Sequence, residues 1–224
     1  MAKRKLQRFA EITTFSNVFQ HVQFEREVHD FALKGVWNKE YFKNEHPIII
    51  ELGCGKGEYT VGMADKFPNK NFVGIDLKGN RIWRGAKTAL ENNFSNVAFL
   101  RGRIENIEKI FEFGEVSEIW ITFPDPQPQV GRERKRLTSP LFLNRYKNLL
   151  KKGGIIHLKT DNAPLYEYTL EKIKEHTFHL LEATSDLYKL STQEVHHAPT
   201  SIKTFYEKKF SELGFKICYL KFSF

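Results

Sequence analysis

Pro47-Ile48-Ile49-Ile50-Glu51-Leu52-Gly53-Cys54-Gly55-Lys56-Gly57 decides how this chain is read. Three consecutive isoleucines form a β-branched apolar run, which predicts a short strand buried on both faces. Glu51 ends the run, and Gly53, Gly55 and Gly57 follow at alternate positions. Glycine admits a tight turn and lets a ligand touch backbone. The next stretch, 58–67, is compatible with a helix. Strand, glycine loop and helix make the opening unit of a nucleotide-binding α/β fold.

The spacing narrows the ligand. A dinucleotide fingerprint requires G-x-G-x-x-G, and here the third glycine arrives one residue early. Glu51, just before the loop, suits a ligand with a cationic or hydroxylated end better than a pyrophosphate. A second strand is expected over 71–75. It runs into Asp76, an acid about 20 residues past the loop, where ribose hydroxyls are held. The pattern resembles the S-adenosylmethionine site of Rossmann-like methyltransferases. A NAD enzyme and a purely structural glycine turn are the alternatives at this point.

The chain has 224 residues, enough for one sizeable core. A net charge of +8 favours a polyanionic partner over an acidic one. Cys54 and Cys218 are the two cysteines and lack metal-type spacing. That argues against a disulfide framework and against a zinc site, and fits a reducing, cytoplasmic setting. Lys3, Arg4, Lys5 and Arg8 make the N-terminus basic, but no apolar segment follows to form a signal peptide. No run is long enough to span a membrane. Residues 1–35 are read as a basic arm, partly disordered when free, and 36–224 as the main domain.

Further strands are expected over 97–101, 117–123, 154–159, 179–184 and 214–224. Helices are expected over 79–93 and 164–176, with another opened by Thr138-Ser139-Pro140 and stopped by Gly153-Gly154. Trp37 and Tyr41, at helical spacing, are expected to pack on the core. Thr204 to Phe210 reads as a helix, and His196-His197 as part of a surface loop. In the last strand Cys218, Leu220, Phe222 and Phe224 should share one face, and Phe215, Ile217 and Tyr219 the other.

Two stretches carry chemistry. Phe123-Pro124-Asp125-Pro126-Gln127-Pro128 places a carboxylate in a proline-stiffened loop at a strand end, where α/β enzymes bind substrate. Gly131-Arg132-Glu133-Arg134-Lys135-Arg136 follows closely enough to hold phosphates beside it. Asp161, after Thr160, is a second acid beyond a strand end.

Taken in order, the glycine loop, Gly74-Ile75-Asp76, the Asp125 loop with its basic run, Arg136-Leu137-Thr138, Leu158-Lys159-Thr160-Asp161-Asn162 and Thr204-x-x-Glu207-x-x-Phe210 resemble the bacterial tRNA (guanine-N7)-methyltransferases. The resemblance runs from about residue 35 to the C-terminus. It implies a Rossmann-like α/β domain with a seven-stranded, mostly parallel sheet, helices on both faces and an antiparallel last strand. It implies S-adenosylmethionine as cofactor, without a metal, held at Glu51, Gly53, Gly55, Asp76, Arg103 and Asp125. It implies tRNA as partner, with Gln129, Asp161, Thr204, Glu207, Arg132 and Arg134 toward the substrate and the protein a monomer or homodimer. Three positions depart from the family pattern. Relatives commonly carry Trp at Gln127, a basic residue at Gln129, and an acid or amide at Arg103.

Guanine N7 has a free lone pair and no proton, so methyl transfer needs alignment rather than a general base. Asp125 and Asp161 are the expected catalytic acids, orienting the base and balancing the charge that develops on it. The alternatives are an amino-group methyltransferase on another base, a small-molecule methyltransferase, and a non-catalytic RNA-binding protein on the same fold.

Overall fold

The computed structural model describes residues 2–21, 28–189, 198–204, 207, 211 and 214–224. Its centre is strand β2 (Ile48–Leu52), buried along its whole length as three isoleucines demand. Ile48, Ile50 and Leu52 enter one hydrophobic cluster and Ile49 enters the other, which is the alternation of a strand covered on both faces.

The remaining elements follow in βα order. They are α2 (Glu58–Lys66), β3 (Asn71–Asp76), α3 (Gly79–Glu91), β4 (Val97–Gly102) and β5 (Val116–Thr122), then α4 (Pro140–Leu149), β6 (Leu150–Thr160), α5 (Ala163–Glu175) and β7 (His179–Thr184). The short α6 (Ala198–Ser201) and β8 (Cys218–Ser223) close the chain. Residues of α2 and α3 join Ile49, Phe72, Phe99 and Trp120 on one face. Residues of α4 and α5, with Trp37 and Phe111, cover the other. Trp37 is fully buried, donates from its indole to the Ile110 carbonyl at 3.2 Å and stacks on Phe111.

Among the described residues the sheet has eight strands rather than the expected seven. The extra one is β1 (Val18–His21), which pairs parallel with β4 at the sheet's edge. It comes from the segment read as an arm. Ahead of it a helix, α1 (Ala2–Glu11), lies against α3. Glu11 accepts from the Trp83 indole at 2.8 Å and pairs with Lys87 at 3.0 Å, while Arg8 sits 4.4 Å from the Trp83 ring centre. Four residues on an edge carry too little periodicity to mark a strand in the sequence.

The strand order is β1-β4-β3-β2-β5-β6-β8-β7, with β8 antiparallel to both neighbours. Its faces are as expected: Cys218, Leu220 and Phe222 point to one cluster, Ile217 and Tyr219 to the other. Phe215 departs from that pattern and is about half exposed, because the strand begins only at Cys218. The Gly153-Gly154 pair does not stop a helix either. Helix α4 ends at Leu149, and the glycines lie inside β6, where the β5–β6 register shifts. The expected His196-His197 loop and most of the expected helix from Thr204 to Phe210 lie outside the described residues.

Candidate active site

Register alone brings the motifs together. Leu52 stands opposite Ile75 of β3 and Ile121 of β5, and Thr122 stands opposite Lys159 of β6. The glycine loop, Asp76, the Asp125 loop and Asp161 therefore leave the sheet side by side at the C-terminal ends of four neighbouring parallel strands. Open α/β sheets bind ligands at that edge.

The glycine loop is pinned to β3. Gly53 and Cys54 both donate to the Ile75 carbonyl, at 2.8 and 3.0 Å. Asp76 closes the unit: its carboxylate accepts from the Gly55 amide at 2.9 Å and from the Lys78 amide at 2.7 Å. Two of the glycines do different work. At Gly57 (φ +71°) an added Cβ would lie 2.5 Å from Phe99, because the loop is pressed against α3 at Gly85. At Gly53 (φ +75°) a Cβ would meet nothing within 4 Å, since it would project into a cleft.

That cleft has a volume of about 680 Å³, within the range of small-molecule sites. It is lined by Gly53, Asp76 and Leu77, by Arg103 to Glu105, by Arg134, Lys135 and Phe142, and by Gln127 of the Asp125 loop. Of the residues singled out from the sequence, Gly53, Asp76, Arg103 and Arg134 line it. Arg103 makes a loose ion pair with Glu105 at 3.5 Å.

Glu51 lies behind the loop rather than in the cleft lining, 5% exposed. Its two oxygens accept from the hydroxyls of Thr60 and Thr122. Burial pushes its carboxyl up to about 7, against the pull of those hydroxyls and with a further push from Asp76. A carboxyl in that state gains from a cation arriving nearby.

Asp125 is exposed, and its Oδ1 accepts from the Gln127 amide at 3.1 Å. Asp161 is half-buried beside the start of α5, where Asn162 caps the helix by accepting from the Leu165 amide at 2.9 Å. Gln129 and Arg132 are exposed and outside the cleft lining. Thr204 is half-buried and accepts from the Glu207 amide at 3.1 Å.

Glu207 is set deeper than Thr204. It was expected to face the substrate, but its side chain is fully buried. It pairs with the equally buried Lys159 at 2.7 Å and accepts from the Tyr188 hydroxyl. Lys159 needs that counter-charge, since burial pulls its ammonium down and Glu207 holds it up. Lys159, Thr60, Thr122 and Tyr188 are the site residues that sequence reasoning missed. Lys159 left one signal, a lysine between Leu158 and Thr160 at the end of a strand with a buried interior.

The comparisons agree with this geometry. A family model described as "Putative methyltransferase" matches residues 45–220. The chain is 53% identical to a tRNA (guanine-N(7)-)-methyltransferase of Christiangramia forsetii, over 99% of this chain and 98% of that one. It is 46% identical to the enzyme of that name from Bacteroides thetaiotaomicron, over 99% and 86%. Among solved structures, the 16S rRNA methyltransferase KamB is similar in fold, with a TM-score of 0.63 at 16% identity over 88% of this chain and 96% of that one. With its glycine loop, Asp76 and Asp125 loop on one sheet edge and these relatives across nearly its whole length, the chain belongs to the tRNA (guanine-N7)-methyltransferase family.

Proposed function

We propose that this protein transfers a methyl group from S-adenosylmethionine to N7 of a guanine in tRNA, at position 46 of the variable loop, giving 7-methylguanosine. The observation that carries the reading is the cleft itself. Gly53 of the glycine loop, the strand-end acid Asp76, and Arg134 and Lys135 of the basic run line it together. A small-molecule methyltransferase has no use for those two cations.

The residues fit the cofactor. Gly53 leaves open space at the cleft wall, Asp76 stands at the strand end, and Glu51 lies behind them. S-adenosylmethionine, when bound, supplies an electrophilic methyl group on a sulfonium. The chain then has to exclude alternatives and hold the guanine in line. Asp125 and Asp161, on loops from adjacent strands, accept from the guanine N1–H and exocyclic amine and balance the positive charge of the methylated ring. Arg132, Arg134 and Lys135, all exposed, hold RNA phosphates, and Gln129 and Thr204 stand toward the nucleoside. Glu207 acts on the substrate only through the placement of Thr204. The protein works in the cytoplasm as a monomer or homodimer, with the N-terminal segment adding phosphate contacts.

Incubating unmodified tRNA with labelled S-adenosylmethionine, followed by nucleoside analysis, tests the reading. Labelled 7-methylguanosine is the expected product. Label in methyladenosine, or tRNA binding without any transfer, defeats it. Asp161→Asn should lower turnover far more than cofactor affinity, and an equal loss of both would remove Asp161 from the substrate side.

A further inference from the structure

The basic run from Arg132 to Arg136 contains one residue unlike the rest. Arg132, Arg134 and Lys135 are exposed, whereas Arg136 is half-buried and committed on two sides. Its Nε donates to the Gln127 carbonyl at 3.2 Å. Its guanidinium lies 4.3 Å from the centre of the Tyr168 ring, within cation–π range. Tyr168 in turn donates to Glu133 at 2.9 Å, so the far side of the stack is fixed as well.

What Arg136 holds is a strained loop. Phe123 and Gln127, on either side of Asp125, have φ of +48° and +45°. Neither is glycine, and L side chains adopt that region only when the surroundings enforce it. Phe123 is enforced by the hydrogen bond its amide donates to the Lys159 carbonyl at 2.8 Å. Gln127 is enforced by its amide on Asp125 and by its carbonyl on Arg136. Tyr168 belongs to α5, the helix that begins just after Asp161. Arg136 thus links the loop carrying one acid to the helix adjoining the other.

We propose that Arg136 is a positioning residue for the methyl transfer, a brace that holds the Asp125 loop against the Asp161 helix, and not one of the phosphate contacts around it. The proposal rests on the function given above, and deepens it by dividing the basic run into cations that meet RNA and one that shapes the site. A lysine cannot substitute, because it offers neither the planar face for Tyr168 nor the fixed donor for Gln127.

The test compares Arg136→Ala, Arg136→Lys, Tyr168→Leu and Tyr168→Phe with the native protein on unmodified tRNA. At saturating tRNA and cofactor, the single-turnover rate should fall roughly 10- to 100-fold in Arg136→Ala, Arg136→Lys and Tyr168→Leu, the scale of a misplaced reacting group. Tyr168→Phe, which keeps the ring, should stay near the native rate. The slope of log Kd for tRNA against log salt should be unchanged in all four, whereas losing a phosphate contact lowers it by about 1. Hydrogen exchange at the Phe123 and Gln127 amides should quicken in Arg136→Ala, a readout that holds whether or not the native protein methylates guanine. A reduced salt slope with an unchanged saturating rate, or unchanged exchange at those two amides, overturns the proposal. If Arg136→Ala does not fold, Tyr168→Leu alone decides it.

Discussion

The two loops that frame the cleft reach unusual backbone conformations by opposite routes. In the glycine loop every positive φ falls on a glycine, at Gly53, Gly55 and Gly57. In the Asp125 loop the positive φ values fall on Phe123 and Gln127. The first loop takes its shape from its own residues and needs only Asp76 and Ile75 to hold it down. The second is surrounded by prolines that stiffen it without supplying those angles, so contacts with β6, Arg136 and Tyr168 must impose them. A loop of the first kind carries its shape in its own residues, since glycine reaches positive φ at little steric cost. A loop of the second kind is an adjustable part, shaped by its neighbours, and it carries the acid assigned to the base.

The comparison breaks most readily at the buried pair under the second loop. Lys159→Met leaves Glu207 buried without its counter-charge, and should cost about 3–5 kcal/mol in urea denaturation. Lys159→Met combined with Glu207→Leu should recover much of that loss. A single variant as stable as the native protein would mean that Glu207 does not depend on Lys159 as its counter-charge.

On the glycine side the expected effect is smaller and sharply local. Gly57→Ala places a Cβ against Phe99 at positive φ and should cost roughly 2–4 kcal/mol, combining strain and overpacking. Gly53→Ala meets no neighbour, so calorimetry should show only about 1 kcal/mol of strain while cofactor binding is lost. Equal destabilisation by the two changes would mean that the cleft does not open where Gly53 faces it.

Glu51 gives a pH signature. Its carboxyl is raised from an ordinary 4.5 to about 7, so the folded state binds the proton more tightly than the unfolded chain. Its contribution is fully present below the unfolded value and is lost as pH rises through the folded one, on the order of 3 kcal/mol. Glu51→Gln should flatten stability between those two values, as read by denaturation at a series of pH. Titration calorimetry should also show affinity for a cationic cofactor falling as the pH drops below 7, where Glu51 takes up its proton. The smallest effect belongs to the rim. Arg134→Ala should lower the salt slope of tRNA binding by about 1 without changing stability.

Much of this fold was legible in the chain. Ile48 to Ile50 announced a strand covered on both sides, Asp76 stood where the loop spacing put it, and the alternation from Ile217 to Phe222 gave both faces of the last strand. The positions of Asp125 and Asp161 just past two neighbouring strand ends were legible, because they follow from the strand pattern. The site was not legible where the partner lies far along the chain. Nothing beside Glu207 in the sequence points to Lys159, nothing beside Glu51 points to Thr122, and Arg136 reads as one more cation until Tyr168 comes to lie against it.

Sequence by itself determined the strand–glycine loop–helix unit, the order of the acids at the strand ends and the basic character of the rim, because periodicity and glycine placement act within a few residues. Only the tertiary structure decided that Val18 to His21 extends the sheet, that Glu207 turns inward, and that one arginine of the basic run is a brace. Those outcomes depend on burial and charge pairing between distant segments, which local pattern does not encode.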